Sequence, residues 1–244
     1  MNEEENKKEP KPEDKVEDQL EKHFTASDTV RDIIIGMSDG LTVPFALAAG
    51  LSSASSSTAI IVIAGLSEIA AGCISMGLGG YLAAVNDKEH YYSEQRKEYN
   101  EVKFVPEKER QEVGEIFKGY GLSEEEIKPI LDKFESNPDK WVEFMMYNEL
   151  GLDKPDENRA RKSGITIALS YLVSGFIPLS PYIFIHSSKE ALIVSAIVTG
   201  ITLIIFGYTK AKLIGNNPWR SAMFTILVGG IAASAAYILA RFLA

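Results

Sequence analysis

Hydrophobic and polar positions divide this chain into long apolar runs separated by two strongly polar stretches. Five runs stand out: Ile33–Leu51, Thr58–Val85, Ser163–Ile185, Ala191–Thr209 and Ser221–Ala240. The last three contain no Asp, Glu, Lys or Arg. At 1.5 Å of rise per residue, each run is long enough as a helix to cross a hydrocarbon core about 30 Å thick. The core helices of a soluble all-helical protein would carry a polar face every 3.6 residues, and these runs do not. The pattern predicts an all-α integral membrane protein with five transmembrane helices.

The polar residues sharpen this picture. Of the 34 acidic residues, 11 lie in residues 1–32 and 20 in residues 86–159, which leaves Asp39, Glu68 and Glu190 for the rest of the chain. Residues 1–32 have no apolar core or cleavage site of a signal peptide, so the N-terminus is expected in the cytoplasm. Lys and Arg set the orientation. The connection at Ser52–Ser57 has none and Pro181–Glu190 has only Lys189, whereas Tyr208–Arg220 has Lys210, Lys212 and Arg220, and Arg159, Arg161 and Lys162 precede the third run. The insert and the fourth-to-fifth connection are thus expected on the cytoplasmic side, with the C-terminus opposite. With a net charge of −9, no nucleic-acid partner is expected. The single Cys73 lies inside the second run and excludes a disulfide framework.

Asp39 and Glu68 are the only carboxylates inside the apolar runs. An ionised Asp at a helix centre costs about 2.5–3.5 kcal/mol even on insertion scales, so such groups face a partner or a pathway. No apolar run offers a Lys or Arg to pair with either. Two readings follow: a protonated carboxyl hydrogen-bonded between helices, or a cation site. Pro44 favours the second, because it has no N–H to give the carbonyl of Gly40, next to Asp39. Met76 follows Glu68 by two turns, and a thioether beside carboxylates suits a transition metal better than Mg²⁺ or Ca²⁺. Gly36 and Gly40 allow close approach of another helix. Gly72, Ser75 and Gly79, after Glu68, form a small-residue stripe that reads as a packing seam.

The insert carries clear helix signals. The second run continues unbroken through "NDKEHYYSEQRKEYNEVKF", Pro106 opens a helix, Ser123 with Glu126 forms a capping box, and Asn137-Pro138 starts a last helix ending at Gly151. Trp141, Phe144, Phe134, Ile130, Phe117 and Ile116 are the expected core. Glu98 and Glu101 are three apart, as are Glu109 and Glu112, so each pair shares a helix face. Two such pairs joined by a short turn can present four carboxylates to one space, as di-iron sites do. Glu149 shares a face with Met145 and Met146, which are either core residues or soft ligands. The expected divisions are a disordered tail and lead-in over 1–29, helices 1–2 over 30–88, a cytoplasmic helical metal-binding domain over 89–158, and helices 3–5 over 159–244.

The segments "DIIIGMSDGLTVPFALAAGL", "EIAAGCISMGLGGYLAA", "FMMYNELGL" and "ALSYLVSGFIPLSPY" resemble the vacuolar iron transporter family, which includes plant and yeast vacuolar iron importers. The resemblance implies five transmembrane helices, a homodimer with its cation path between subunits, and export of cytosolic Fe²⁺ in exchange for H⁺ across the lipid bilayer. It implies that Asp39, Glu68 and Met76 line the path. It also implies that Glu98, Glu101, Glu109, Glu112, Met145, Met146 and Glu149 bind metal in the insert, with Glu115 assisting. No cofactor is expected to be tightly bound, and Fe²⁺ is the substrate. The location would be the vacuolar membrane in a eukaryote and the plasma membrane in a prokaryote. Carboxylates and thioethers discriminate poorly among first-row metals, so a broader carrier of Mn²⁺, Co²⁺ or Zn²⁺ is the alternative. A membrane-anchored di-iron protein or metal sensor is a third reading. Its oxidase form is weakened because none of His23, His90 and His186 falls three residues after a paired glutamate.

Overall fold

A computed structural model describes residues 12–54 and 57–243, with side chains from residue 28 onward. The described residues form eight helices: α1 (Pro12–Ala54), α2 (Thr58–Phe104), α3 (Pro106–Gly119), α4 (Glu124–Glu135), α5 (Pro138–Asn148), α6 (Arg159–Phe184), α7 (Ser188–Ile214) and α8 (Pro218–Leu243). Five of them are long and apolar enough to cross a membrane: α1 from Asp28 onward, α2, α6, α7 and α8. They coincide with the five apolar runs. α2 has 47 residues, about 70 Å at the helical rise, so only its apolar first part fits within hydrocarbon.

The tail expected over residues 1–29 lies outside the described residues for 1–11. From Pro12 the chain is helical and continuous with the first span. Pro12 sits where a first-turn proline is tolerated, and the Glu, Lys, Gln and Leu that follow have high helix propensity.

The chain separates into two compact units. One comprises the residues up to Tyr81 with those from Arg161 on, and the other is Leu82–Ala160. In the first unit, α1 packs on α7 and α8, and α7 packs on α8. Glycine brings the backbones together. A Cβ at Gly36 would strike the Ile167 carbonyl and lie 2.7 Å from Ser170 Cβ, and one at Gly40 would lie 2.5 Å from the Tyr171 carbonyl oxygen. Gly36 and Gly40 therefore do form a close approach, and the partner is α6. The seam of α2 differs from the expected stripe. Gly65, Gly72, Gly77 and Gly80 press on α6, whereas Gly79 has no atom within 4 Å of a would-be Cβ and Ser75 is exposed. The register of α2 about its own axis decides this, and small residues on both sides leave it open in the sequence. Pro181 cannot donate to the carbonyl of Ile177, and the Ser180 hydroxyl donates to that oxygen instead, at 2.8 Å. An isolated bridge between Ser57 and Ser187 joins the α1–α2 connection to the α6–α7 connection.

The second unit packs Tyr91 and Val102 of α2 against Val113, Ile127, Leu131, Trp141, Val142, Met145 and Met146. Phe144 stacks on Phe117 (centroids 5.2 Å) and meets Phe134 (4.9 Å). Ile116 and Ile130 are only half-buried and lie outside this cluster. Ser123 donates from its N–H (2.9 Å) and its hydroxyl (2.7 Å) to Glu126, which fixes the start of α4. Arg110 of α3 donates to Asp132 (2.8 Å) and pairs with Glu135, both on α4. α5 ends at Asn148, before the expected Gly151, so Glu149 is its C-cap.

The glycine contacts give a direct test. Adding a methyl at Gly40 overpacks a backbone contact and is expected to cost about 1–3 kcal/mol. Gly230→Ala, where a Cβ meets no atom within 4 Å, is expected not to lower stability, since Ala favours helix over Gly by about 1 kcal/mol. Thermal unfolding of the two variants in detergent micelles compares them.

Candidate functional site

Two groups of carboxylates merit a site, one in each unit. In the first unit, Glu68 lies on α2 with one oxygen accepting a hydrogen bond from the Tyr171 hydroxyl of α6. Its other oxygen, Oε2, is buried without a hydrogen-bond partner among the described residues. Tyr171 is itself buried. A Cβ at Gly72 would lie 2.5 Å from Tyr171 Cζ, so the ring occupies the space that this glycine leaves. On the other side, the backbone of Tyr171 abuts Gly40, the residue after Asp39. Tyr171 thus connects the backbone next to one membrane carboxylate with the side chain of the other. Sequence reasoning missed it. The available signal was a hydroxyl-bearing aromatic in a charge-free run, flanked by Ser170, Ser174 and Gly175.

Asp39 and Met76 are half-buried, and among the described residues no Lys, Arg or His pairs with Asp39 or Glu68. Pro44 is buried, with its Cγ 3.4 Å from the Cβ position of Gly175, so the proline faces α6 and not lipid. The Cys73 thiol donates to the Ala70 carbonyl at 3.3 Å, an ordinary packing role. A further carboxylate missed as a buried group is Asp32, 2 % exposed.

In the second unit, α2 and α3 are separated by one residue, Val105, whose N–H still donates to Glu101 at 2.8 Å. That tight reversal sets the last turns of α2 against the first turns of α3. Glu98, Glu101 and Glu109 converge, as do Glu109, Glu112 and Glu149, each trio offering carboxylate oxygens within 4.8 Å of one another. Glu109 belongs to both trios. It is fully buried, Glu98 is 5 % exposed, and both Glu109 oxygens and one of Glu98 lack hydrogen-bond partners among the described residues. Lys108 is a cation beside the cluster, its Nζ 2.9 Å from Glu112 and 3.9 Å from Glu109. Met145 and Met146 are seated in the core cluster beside Trp141 and Val142. Glu115 stays exposed and accepts from Gln111 at 2.8 Å.

This crowding changes the acids. Burial, then the charges of Glu149 and Glu101, pushes the Glu98 carboxyl up to about 7. Burial, then Glu112 and Glu98, does the same for Glu109, also to about 7, with Lys108 opposing. Glu149 is raised by burial and Glu112. Five carboxylates with so few donors suit a divalent cation, which replaces protons and satisfies the bare oxygens together. Chemically, the arrangement can hold a metal ion in exchange for protons near neutral pH.

Comparison with known proteins follows the same line. Residues 30–241 match the VIT family. The chain is 51% identical over 214 residues to "Vacuolar iron transporter 1" of Oryza sativa subsp. japonica, covering 88% of this chain and 85% of that protein. It is 53% identical over 214 residues to "Vacuolar iron transporter" of Centaurea cyanus, covering 88% and 87%. It is 39% identical over 222 residues to "Protein CCC1" of Saccharomyces cerevisiae, covering 88% and 69%.

An acid whose folded-state pKa lies above its ordinary value binds its proton more tightly folded than unfolded. The metal-free Leu82–Ala160 unit is therefore most stable below pH 4.5 with respect to Glu98 and Glu109, and loses that stability as pH rises toward about 7. Glu126 and Glu157, whose pKa values are lowered by hydrogen bonds, titrate below this window. With Trp219→Phe leaving Trp141 as reporter, the thermal midpoint is expected to be lower at pH 8 than at pH 5.5. A divalent transition ion added at pH 8 should restore it.

Proposed function

This chain belongs to the VIT family, and from that premise we propose that it carries Fe²⁺ out of the cytosol across a membrane in exchange for H⁺. It acts as a transporter and not an enzyme, in the vacuolar membrane of a eukaryotic host or the plasma membrane of a prokaryotic one. The observation that carries this reading is the pair Asp39 and Glu68, two carboxylates in apolar spans without a cationic partner among the described residues. A group so placed is expensive to ionise, so it holds a proton when no metal is present and releases it when a cation arrives. Proton and metal compete for the same oxygens, which is the minimum an exchanger needs.

In this proposal Asp39, Glu68 and Met76 line the path. Tyr171 acts as a positioning residue, its hydroxyl orienting Glu68 so that the buried Oε2 is the oxygen offered to the ion. One Asp39 supplies a single negative charge against a divalent ion. Two would balance it, which favours a homodimer with the path at the subunit seam. The Leu82–Ala160 unit, assigned to the cytoplasm, collects metal through Glu98, Glu101, Glu109, Glu112 and Glu149. Met145 and Met146 are proposed as thioether ligands reached by rotamer changes of flexible side chains. Oxygen and thioether donors also accept Mn²⁺, Co²⁺ and Zn²⁺, so a broader divalent carrier is the second reading.

Metal-driven proton efflux from proteoliposomes tests the assignment. Asp39→Ala and Glu68→Gln are expected to reduce Fe²⁺-driven efflux to background. Tyr171→Phe, which keeps both carboxylates, is expected to slow it by about 10–100-fold, the usual cost of losing a supporting hydrogen bond at a metal ligand. Replacing residues 90–156 by a short linker should leave transport at saturating metal and weaken it at scarce metal. Full activity of Asp39→Ala together with loss in the linker variant would overturn the path.

A further inference from the structure

Away from both carboxylate groups, α1 and α7 leave a groove of about 220 Å³ between them. Its walls are Val30, Ile34 and Met37 on α1 and Thr202, Ile205 and Phe206 on α7, and no Asp or Glu among the described residues lines it. Lys210 stands one turn short of Leu213, which also lines one end, and its Nζ lies 5.3 Å from the centroid of the Phe206 ring. Its half-buried side chain brings a positive charge into this apolar wall, its stem packed on apolar neighbours as long lysine side chains do near a membrane surface.

The same end bears the marks of a membrane–water interface. Tyr208 and Trp219 meet edge to face with centroids 5.4 Å apart, and Lys212 and Arg220 are close in sequence. Paired aromatics with nearby basic residues settle at the headgroup level. From Lys210 the groove extends along α7 to Thr202, about 12 Å at the helical rise, close to the roughly 15 Å of hydrocarbon in one leaflet. At 100° per residue, Val30, Ile34 and Met37 lie on the side of α1 roughly opposite Asp39. An occupant of the groove is therefore remote from the ion site.

We propose that this groove binds an anionic phospholipid, with one acyl chain lying along α7 between Phe206 and Thr202 and the phosphate seated on Lys210. A cation near the interfacial end of an acid-free apolar slot selects a ligand with an anionic head and an apolar tail. A bound lipid would hold α1 against α7 and so fix the helix that carries Asp39.

Thermal unfolding of the full chain in detergent micelles tests this, with phosphatidylserine, phosphatidylcholine of the same acyl chains, or sn-glycerol 3-phosphate added. Phosphatidylserine at a hundredfold excess over its Kd is expected to raise the midpoint by about 5–10 °C, with little change from the other two. Lys210→Gln should abolish that difference, as should Ile205→Trp, which fills the groove without altering charge. Lys212→Gln, an equal loss of charge outside the groove, should retain it. Equal shifts with both lipids, a Lys210→Gln protein that keeps the phosphatidylserine shift, or equal losses in Lys210→Gln and Lys212→Gln would overturn the site. A shift with sn-glycerol 3-phosphate as large as that with phosphatidylserine would overturn the acyl-chain part. If Lys210→Gln does not fold, the Ile205→Trp comparison decides.

Discussion

The contact around Tyr171 is the constraint on which the membrane unit depends. Three helices meet there: Gly40 of α1 lies against its backbone, Gly72 of α2 makes room for its ring, and its hydroxyl donates to Glu68. In hydrocarbon there is little hydrophobic gain from bringing helices together, so close packing and hydrogen bonding must hold them. Glycine supplies the packing, because any larger residue at either position would separate the helices. The hydrogen bond exists only once that packing has formed. The same contact that stabilises the unit thus sets the geometry of a membrane carboxylate.

Both units manage the cost of desolvated carboxylates. In the membrane unit the acids are few, and one oxygen of Glu68 remains without a donor among the described residues. In the Leu82–Ala160 unit they are many, and burial and mutual repulsion raise Glu98 and Glu109 to about 7. Near neutral pH these acids are therefore close to the point where protons leave readily. In the proposed function, a cation entering the Leu82–Ala160 unit relieves that repulsion, and in either place it satisfies bare oxygens. Without metal or proton, the clustered acids destabilise the fold that holds them, and the aromatic cluster of Phe117, Phe134 and Phe144 with the Arg110 pairs offsets that repulsion.

Much of the architecture was legible because membrane spans are written in composition. A long apolar run with at most one charge is costly to place elsewhere, and five such runs became the five long helices. The helix starts at Pro106, Ser123 and Asn137 were equally legible, since capping is chemistry between near neighbours in sequence. The i, i+3 spacing of the glutamates fixed which acids share a face. It did not fix how the two faces meet.

Those meetings are what the tertiary structure decided. The convergence of Glu109 with residues from α2, α3 and the end of α5 depends on the single-residue turn at Val105 and on the core that closes the unit. Met145 and Met146, open in the sequence between core and ligand, are packed in that core. The glycine seam of α2 runs through Gly65, Gly72, Gly77 and Gly80, because small residues on several sides of a helix do not say which side is turned inward. The contact of Tyr171 with Glu68 was not legible for the same reason, although a hydroxyl-bearing aromatic stood out in that charge-free run. By itself the sequence determined which segments enter the membrane and which carboxylates are exceptional there, because the transfer of charge into hydrocarbon is a property of each residue. Only packing decided what those carboxylates touch, because a hydrogen bond between residues 68 and 171 requires two helices to be brought together side by side.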